Sequence, residues 1–140
     1  MAKSTLKTYI NSTVWPSFAK MIKARDSNNE GVCRCCSCGK LIRWNDAECH
    51  AGHLVPGRSG NIIFDELLVH AQCYRCNGPL KGNVFGYQKF MRIKYNMSYE
   101  EVDELFLRAH IIKKFTKPEL KDLKISFDNQ FKEFCKEKGL

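Results

Sequence analysis

The sequence predicts a small α+β domain with a zinc-stapled core. Three observations predict this fold class: two C-x-x-C pairs, short segments of strand length between them, and amphipathic helical patterns before and after them. A chain of 140 residues is long enough for one domain with a modest core. Because such a core is only marginally stable, metal ligation would supply part of the folding free energy.

Four cysteines have the spacing of a structural zinc site. Cys35 and Cys38 form one C-x-x-C pair, and Cys73 and Cys76 form the other. Four thiolates from two such pairs can surround one Zn²⁺ in the closed tetrahedron that structural sites prefer. The sequence therefore predicts a structural zinc ion bound by these four side chains.

A second C-x-x-C overlaps the first, so the first pair has to be chosen. Cys33 and Cys36 have the same spacing as Cys35 and Cys38. Gly39 directly follows Cys38, and a tight cysteine turn commonly needs a left-handed backbone just past its second ligand, which glycine adopts without steric cost. We therefore expect Cys35 and Cys38 to bind the metal, and Cys33 and Cys36 to be bystanders.

The elements up to the second cysteine pair are short. Residues 1–11 are polar and expected to be loose, and apolar residues at helical spacing predict a helix near 13–25. Two short strands are expected near 40–44 and 48–54, followed by an irregular loop with a buried apolar anchor. The second pair should begin a helix, with Pro79 in its first turn.

The chain after residue 83 has the pattern of amphipathic helices. A helix is predicted near 84–95, and two capping boxes, Ser98 with Glu101 and Thr116 with Glu119, open two more. The first of these carries the apolar stripe Val102, Leu105, Phe106, Ala109 and Ile112, and the second carries Leu120, Leu123, Phe127, Phe131 and Phe134. We expect the last stripe to be core rather than an oligomer contact.

These patterns divide the chain into three segments. Residues 1–31 form an N-terminal helical lead-in, residues 32–83 the zinc-bound core, and residues 84–140 a C-terminal helical extension packed on the core. Lysine and arginine number 23 against 15 aspartates and glutamates, a net charge of +8, which favours a polyanionic partner such as nucleic acid. Charge alone would fit a merely soluble basic protein equally well.

The sequence also favours a reducing compartment. The N-terminus is polar with no apolar segment of a signal peptide after it, and no run approaches the ~18 apolar residues of a membrane span. We therefore expect a cytoplasmic protein with no membrane partner. Paired cysteines in that compartment more often bind metal than each other.

The motifs together carry a family resemblance. Cys-x-x-Cys-Gly is followed by His-Ala-Gly-His with Pro56 and Gly57 behind it, then by His70-x-Gln72-Cys73-x-x-Cys-Asn and Lys-Gly-Asn. This pattern, over at least residues 31–83, resembles the phage NinG (Rap) recombination protein family, and Phe18–Asp26 resembles its lead-in. That family is similar to the HNH, or His-Me finger, nucleases. The resemblance implies a treble-clef or ββα-metal core with additional N- and C-terminal helices.

The resemblance also implies roles for the histidines. His53 is expected to be the general base that accepts a proton from water, provided that a neighbouring carbonyl or carboxylate orients its other nitrogen. The position before it, which usually carries a metal ligand, is Gly52 here. His50 lies two residues earlier on the same face of a strand and is either a ligand for a catalytic Mg²⁺ or Mn²⁺ or a structural histidine.

Asn77 and His70 have two interpretations each. Asn77 stands where zinc-framed HNH nucleases hold the catalytic ion, and it also suits a helix cap. His70 is expected to support the site by orienting His53 or binding metal, or else to be a core histidine. The central asparagine of the HNH pattern is Leu68 here, so no role is carried over to that position.

Three cations are candidates for contact with the DNA backbone. Arg58 lies in the glycine-rich loop, Lys81 follows Asn77, and Arg75 lies between the zinc cysteines. Contacts of this kind position DNA without reading its sequence. A single surface cation is more often simply solvated.

The sequence and the resemblance lead to one functional hypothesis and one rival. The hypothesis is a metal-dependent DNA endonuclease that cuts branched recombination intermediates, such as D-loops or Holliday junctions, during phage recombination in a bacterial cytoplasm. A homodimer and contacts with other recombination proteins are open possibilities. The rival is a non-catalytic zinc module that binds nucleic acid or recombination proteins, favoured by Gly52 and Leu68. A redox dithiol protein is disfavoured, because both cysteine pairs fit one zinc tetrahedron.

Overall fold

The computed structural model describes residues 2–58 and 60–140. The described chain folds into six helices and four short strands: α1 (Ala2–Tyr9), α2 (Trp15–Asp26), β1 (Val32–Arg34), β2 (Leu41–Arg43), β3 (Cys49–His53), β4 (Val69–Cys73), α3 (Tyr74–Asn77), α4 (Val84–Tyr95), α5 (Tyr99–Phe106) and α6 (Lys117–Lys138). A π-helical segment, Ile10–Val14, joins α1 to α2, and a 3-10 segment, Leu107–His110, follows α5. No helix in these two ranges is long and apolar enough to cross a membrane.

The first sheet is a hairpin that carries the first cysteine pair in its turn. Strands β1 and β2 pair antiparallel, and the turn between them is closed by two backbone hydrogen bonds, from Cys35 to Lys40 and from Gly39 to Cys35, of 2.7 and 2.9 Å. Gly39 has a φ of +81°, the left-handed conformation expected for it. The turn therefore presents both thiols of the pair on one side.

The second sheet is the hairpin of β3 and β4, and helices cover both of its faces. His53 lies opposite Val69 in the register, and Gly52 lies opposite His70. Val69 packs in the apolar cluster formed with α2 and α6, whereas His70 contacts Tyr87 of α4. Because side chains alternate along a strand, the hairpin separates the α2 and α6 layer from the α4 and α5 layer.

The last helix packs on the helix near the N-terminus. Phe127 of α6 lies against Phe18 of α2, with ring centroids 4.8 Å apart. At the other end of α6, the Lys138 ammonium donates hydrogen bonds of 2.6–2.8 Å to carbonyls at the end of α2, including that of Ala24. Lysine at this position satisfies carbonyls that a helix end leaves unpaired. The aromatic stripe of α6 is therefore core, as predicted.

Several predicted elements are confirmed. The strands expected near 40–44 and 48–54 are β2 and β3, and the helix expected near 84–95 is α4. Both capping boxes form with reciprocal hydrogen bonds, at Ser98 with Glu101 and at Thr116 with Glu119. These elements depend on local signals, which the sequence displays directly.

Three other expectations are wrong. The stretch 1–11 is not loose: its described residues form α1 and the start of the π-helical segment, which pack beside α2 and α6. Pro79 does not lie in the first turn of the helix that the second cysteine pair begins, because α3 ends at Asn77 and Pro79 lies in the turns that follow. Ile112 leaves its apolar stripe and is 86% exposed, because the 3-10 segment ends at His110.

Candidate functional site

The predicted zinc ligands converge at one end of the β3–β4 hairpin. The sulfur atoms of Cys35, Cys38, Cys73 and Cys76 all lie within 4.8 Å of one another. The Cys38 and Cys73 sulfurs are 3.8 Å apart. A tetrahedron with Zn–S bonds of about 2.3 Å has edges of about 3.8 Å, so this donor set fits a structural zinc ion. Cys33 and Cys36 lie outside this group, as expected.

Hydrogen bonds to sulfur complete the cysteine cluster. The Cys76 amide donates to the Cys73 sulfur at 3.4 Å, and the Asn83 side-chain amide donates to the Cys76 sulfur at 3.4 Å. Such donors stabilise thiolates and orient them. In the metal-free protein, burial raises the pKa of the Cys76 thiol to about 12. A bound Zn²⁺ would reverse this effect, because a coordinating thiol is deprotonated.

A cavity of about 550 Å³ lies beside β3 and α2, and none of the four clustered cysteines lines it. Its walls combine both histidines of the His-Ala-Gly-His motif with polar and cationic side chains and one acidic side chain, chiefly Trp15, Lys23, Asp46, His50, His53, Arg58, Asn77 and Lys81. Besides His53, four predicted site residues therefore line this cavity, namely His50, Arg58, Asn77 and Lys81. It is the candidate site for chemistry.

His53 is held on two sides in this cavity. Its Nε2 lies 3.1 Å from the carbonyl oxygen of Ile63. Because a carbonyl only accepts, Nε2 carries the proton in the neutral ring, and the lone pair is on Nδ1. Its ring also stacks on Trp15, with centroids 5.4 Å apart and planes inclined by 18°. The Ile63 carbonyl is thus the orienting partner that a general base at this position needs.

The protonation state of His53 also suits a base. Burial lowers the pKa of His53 below its ordinary value of 6.5, an effect that the nearby Arg58 charge reinforces and the Ile63 hydrogen bond opposes. The imidazole is therefore neutral at pH 7. A neutral imidazole with one free nitrogen can accept a proton from water.

His50 and Asn77 lie side by side at the edge of the cavity. The Asn77 side-chain amide nitrogen lies 2.9 Å from Nδ1 of His50. Rotating the amide by half a turn would place its oxygen near that nitrogen, and the pair would then present one nitrogen and one oxygen donor. Mg²⁺ takes few protein ligands and keeps several waters, so two side chains are enough in number, although neither is the carboxylate that this ion usually takes.

Gly52 has a packing reason to be glycine. The Gln72 side chain, which is fully buried, occupies the space beside it, and a Cβ at position 52 would collide with its Oε1. The Gln72 amide nitrogen donates to Ser37 and to the Gly82 carbonyl at 2.8 and 2.7 Å. A metal ligand at position 52 would therefore require Gln72 to move.

His70 is a core residue in this structure. It is 1% exposed, with its ring nitrogens 3.1 Å from the Tyr87 hydroxyl and 2.7 Å from the Tyr95 hydroxyl. Burial lowers the pKa of His70 to about 3. Since His70 faces α4 and His53 faces α2, His70 neither contacts His53 nor lines the cavity.

The predicted DNA-contacting cations fall into two groups. Arg58 and Lys81 line the cavity, and the Arg58 guanidinium lies 4.1 Å from the centre of the Trp15 ring. Arg75 is exposed on α3 and is not among the described residues that line the cavity. Two of the three candidates therefore lie at the same cavity as His53.

Sequence reasoning missed two residues of the site. Trp15 and Lys23 both line the cavity, and the helical pattern near 13–25 gave no sign that either belongs to the site. Their helix packs against β3, which brings Trp15 onto His53. The π-helical segment directly before Trp15 is the kind of helix irregularity that often accompanies functional sites, but the sequence did not reveal it.

The fold and the site define a small mixed α+β protein with a four-cysteine cluster that fits a metal ion and a second, largely basic cavity around a histidine. The chain matches the family described as Bacteriophage Lambda NinG protein over residues 2–137. It therefore belongs to the NinG family. No curated protein matches the chain. No solved structure matches it either.

Proposed function

We propose that this protein is a metal-dependent DNA endonuclease that acts on branched intermediates in phage recombination, in the cytoplasm of a bacterial host. Membership of the NinG family and the four-cysteine cluster support the setting and the zinc frame. The observation that carries the proposal is the geometry of His53, whose Nε2 is engaged by the Ile63 carbonyl. Its other nitrogen is then left to accept a proton beside a cationic cavity.

The order of elements supports an HNH-like core. A cysteine turn precedes a hairpin, His53 ends the first strand of that hairpin, and the second cysteine pair begins α3 at the end of the second strand. This is the arrangement that a treble-clef or ββα-metal site requires. α3 has four residues and the chain continues into α4 after a short turn region, so the helical part is interrupted.

Each residue of the site would have its own role in the hydrolysis. Nδ1 of His53 takes a proton from water, the water oxygen bonds to phosphorus, and the bond from phosphorus to the leaving oxygen breaks. The leaving oxygen takes a proton from solvent. Arg58 and Lys81 hold the phosphate against the cavity. A divalent ion held by Asn77 and His50 would supply charge stabilisation on the phosphate.

The test is cleavage by zinc-loaded protein of a labelled four-way junction, a D-loop and a linear duplex, with Mg²⁺ or Mn²⁺ added or omitted. We expect branched DNA to be cut only with the divalent ion. His53→Ala should lose about 10²–10⁴-fold in cleavage rate while retaining zinc and DNA binding. His110→Ala is the matched control, because His110 is exposed on the 3-10 segment and does not line the cavity.

The rival function is a non-catalytic zinc module that binds nucleic acid. The Gln72 side chain beside Gly52 favours it, because it leaves no room for the usual metal ligand at that position. This rival predicts DNA binding that is indifferent to Mg²⁺ and to loss of His53. Wild-type protein that binds junctions but cuts none of the three substrates with either ion would replace the nuclease proposal with this one.

A further inference from the structure

A second groove lies beside the His53 cavity and is not used by the proposed hydrolysis. It has a volume of about 580 Å³ and runs between the α1 end of the chain and the segment before α6. Its floor is apolar and consists of Leu6, Ile10, Ile63 and Phe115. We call it the lysine groove, after the lysines on its rim.

The rim of the lysine groove is cationic. Four basic side chains line it, namely Lys7, Arg58, Lys113 and Lys114, and no acidic residue does so among the described residues. Lys113 is paired with Glu119, which lies outside the lining, at 2.9 Å. The ammonium of Lys113 also lies 5.2 Å from the centre of the Phe115 ring. A polyanion with flat apolar groups complements this combination of floor and rim.

The lysine groove and the His53 cavity are neighbours that share one wall residue. Arg58 lines both, with its guanidinium over Trp15 on one side and a 3.3 Å hydrogen bond to Asn11 on the other. Ile63 lines the groove, and its carbonyl accepts the hydrogen bond from His53. A strand whose phosphate lies near His53 therefore enters the groove within a short distance along its backbone.

We propose that the lysine groove binds an unpaired strand of DNA, with its bases on the apolar floor beside Phe115 and its phosphates on the cationic rim. Bases in a duplex are paired and stacked, so they cannot reach this floor, whereas unpaired bases can. The groove thereby favours DNA that has an unpaired segment beside the scissile phosphate. This inference rests on the proposed function for the identity of the substrate, but binding is measurable without cleavage.

The first experiment measures binding of fluorescent oligothymidylate and of a linear duplex to full-length, zinc-loaded protein without Mg²⁺. The double variant Lys7→Gln, Lys114→Gln should bind oligothymidylate about tenfold more weakly. The slope of log affinity against log salt concentration should become shallower by about 1.4, because two phosphate contacts are lost. Duplex binding should change by less than about threefold. Lys132→Gln with Lys136→Gln removes the same charge from exposed positions of α6 outside the groove and should leave both affinities within about twofold.

The second experiment locates the bases. Oligonucleotides carrying 5-iodouracil, irradiated in complex with the protein, should crosslink to the peptide that contains Phe115. Phe115→Leu keeps apolar volume but removes the stacking ring, so it should abolish that adduct and weaken oligothymidylate binding several-fold. Its folding can be checked by the thermal unfolding midpoint. Adducts confined to peptides outside the groove would overturn the assignment.

Two other results would also overturn this inference. Equal losses of duplex and single-strand binding in the groove variant would mean that its lysines act only through general charge. Displacement of oligothymidylate by polyglutamate of similar charge at equal concentration would indicate an acidic peptide as the occupant. Failure of the nuclease proposal is a separate result, because a wild-type protein that cuts nothing can still bind the unpaired strand in the groove.

Discussion

The two ends of the β3–β4 hairpin differ in the arrangement of their side chains. At one end, Cys73 belongs to a cluster of four sulfurs whose spacing matches a closed zinc tetrahedron. At the other end, His53 faces a cavity, with one nitrogen held and the other left to react. The five-residue strand β3 lies between these two groups. The four sulfurs would fill the coordination shell of a zinc ion, whereas the residues around His53 would leave positions open for other ligands. In the proposed function, a rigid metal frame would position His53 without taking part in its chemistry.

The largest expected effect is at the zinc end. Cys73→Ala removes one of four thiolates, and structural zinc supplies about 10 kcal/mol or more of apparent binding free energy, which exceeds the stability of a typical small domain. We expect the variant to lose zinc and to unfold, as measured by metal content and far-UV circular dichroism. Cys135→Ala, half-buried in α6 and outside the cluster, is the control. A folded, zinc-free Cys73→Ala protein would show that the frame does not depend on the metal.

The cavity end is expected to respond differently. Asn77→Ala removes the proposed oxygen donor for the divalent ion, so cleavage should fall at least tenfold and the Mg²⁺ concentration for half-maximal activity should rise. Zinc content and thermal stability should stay near those of the wild type. Asn129→Ala, exposed on α6, is the matched control. An unchanged Mg²⁺ dependence would identify Asn77 as a residue that only positions His50.

On the other face of the same hairpin, His70 should make the stability of the protein depend on pH. Its pKa is about 3 in the folded protein and about 6.5 when unfolded, so the unfolded chain binds more protons between these values. Stability from this residue is fully present above pH 6.5 and is lost as pH falls toward 3, by up to about 1.4 kcal/mol per pH unit.

His70→Phe should remove that slope, as measured by urea unfolding of zinc-saturated protein between pH 5.5 and 7. His110→Gln, at an exposed position, should keep it. If the His70→Phe protein keeps the wild-type slope, acid sensitivity in this range comes from elsewhere, such as the zinc thiolates.

The smallest expected effect is spectroscopic. Because the Trp15 ring stacks on His53, protonation of His53 should quench the fluorescence of Trp15. In a Trp44→Phe variant, which leaves Trp15 as the only tryptophan, the emission should rise with pH through a midpoint below 6.5, because burial lowers the pKa of His53. The midpoint should match that of the pH–rate profile. His53→Gln should abolish the transition, and a transition that survives would have to report another group.

The local features were predictable from the sequence. Cysteine spacing with Gly39 identified the four cysteines that cluster, and the capping boxes marked where α5 and α6 begin. These features depend on residues a few positions apart, so the chain displays them directly. By contrast, β4 was missed, because all five of its residues are buried and show no alternating pattern.

The composition of the site depended on tertiary structure. The sequence by itself determined that two cysteine pairs are spaced to bind zinc, that His53 lies in a short strand, and that the chain is basic. Only packing decided that α2 would bring Trp15 onto His53, that Gln72 would fill the space beside Gly52, and that His70 would face α4. The physical reason is that each of these contacts joins residues distant in the chain, whose meeting depends on which helix covers which face of the hairpin.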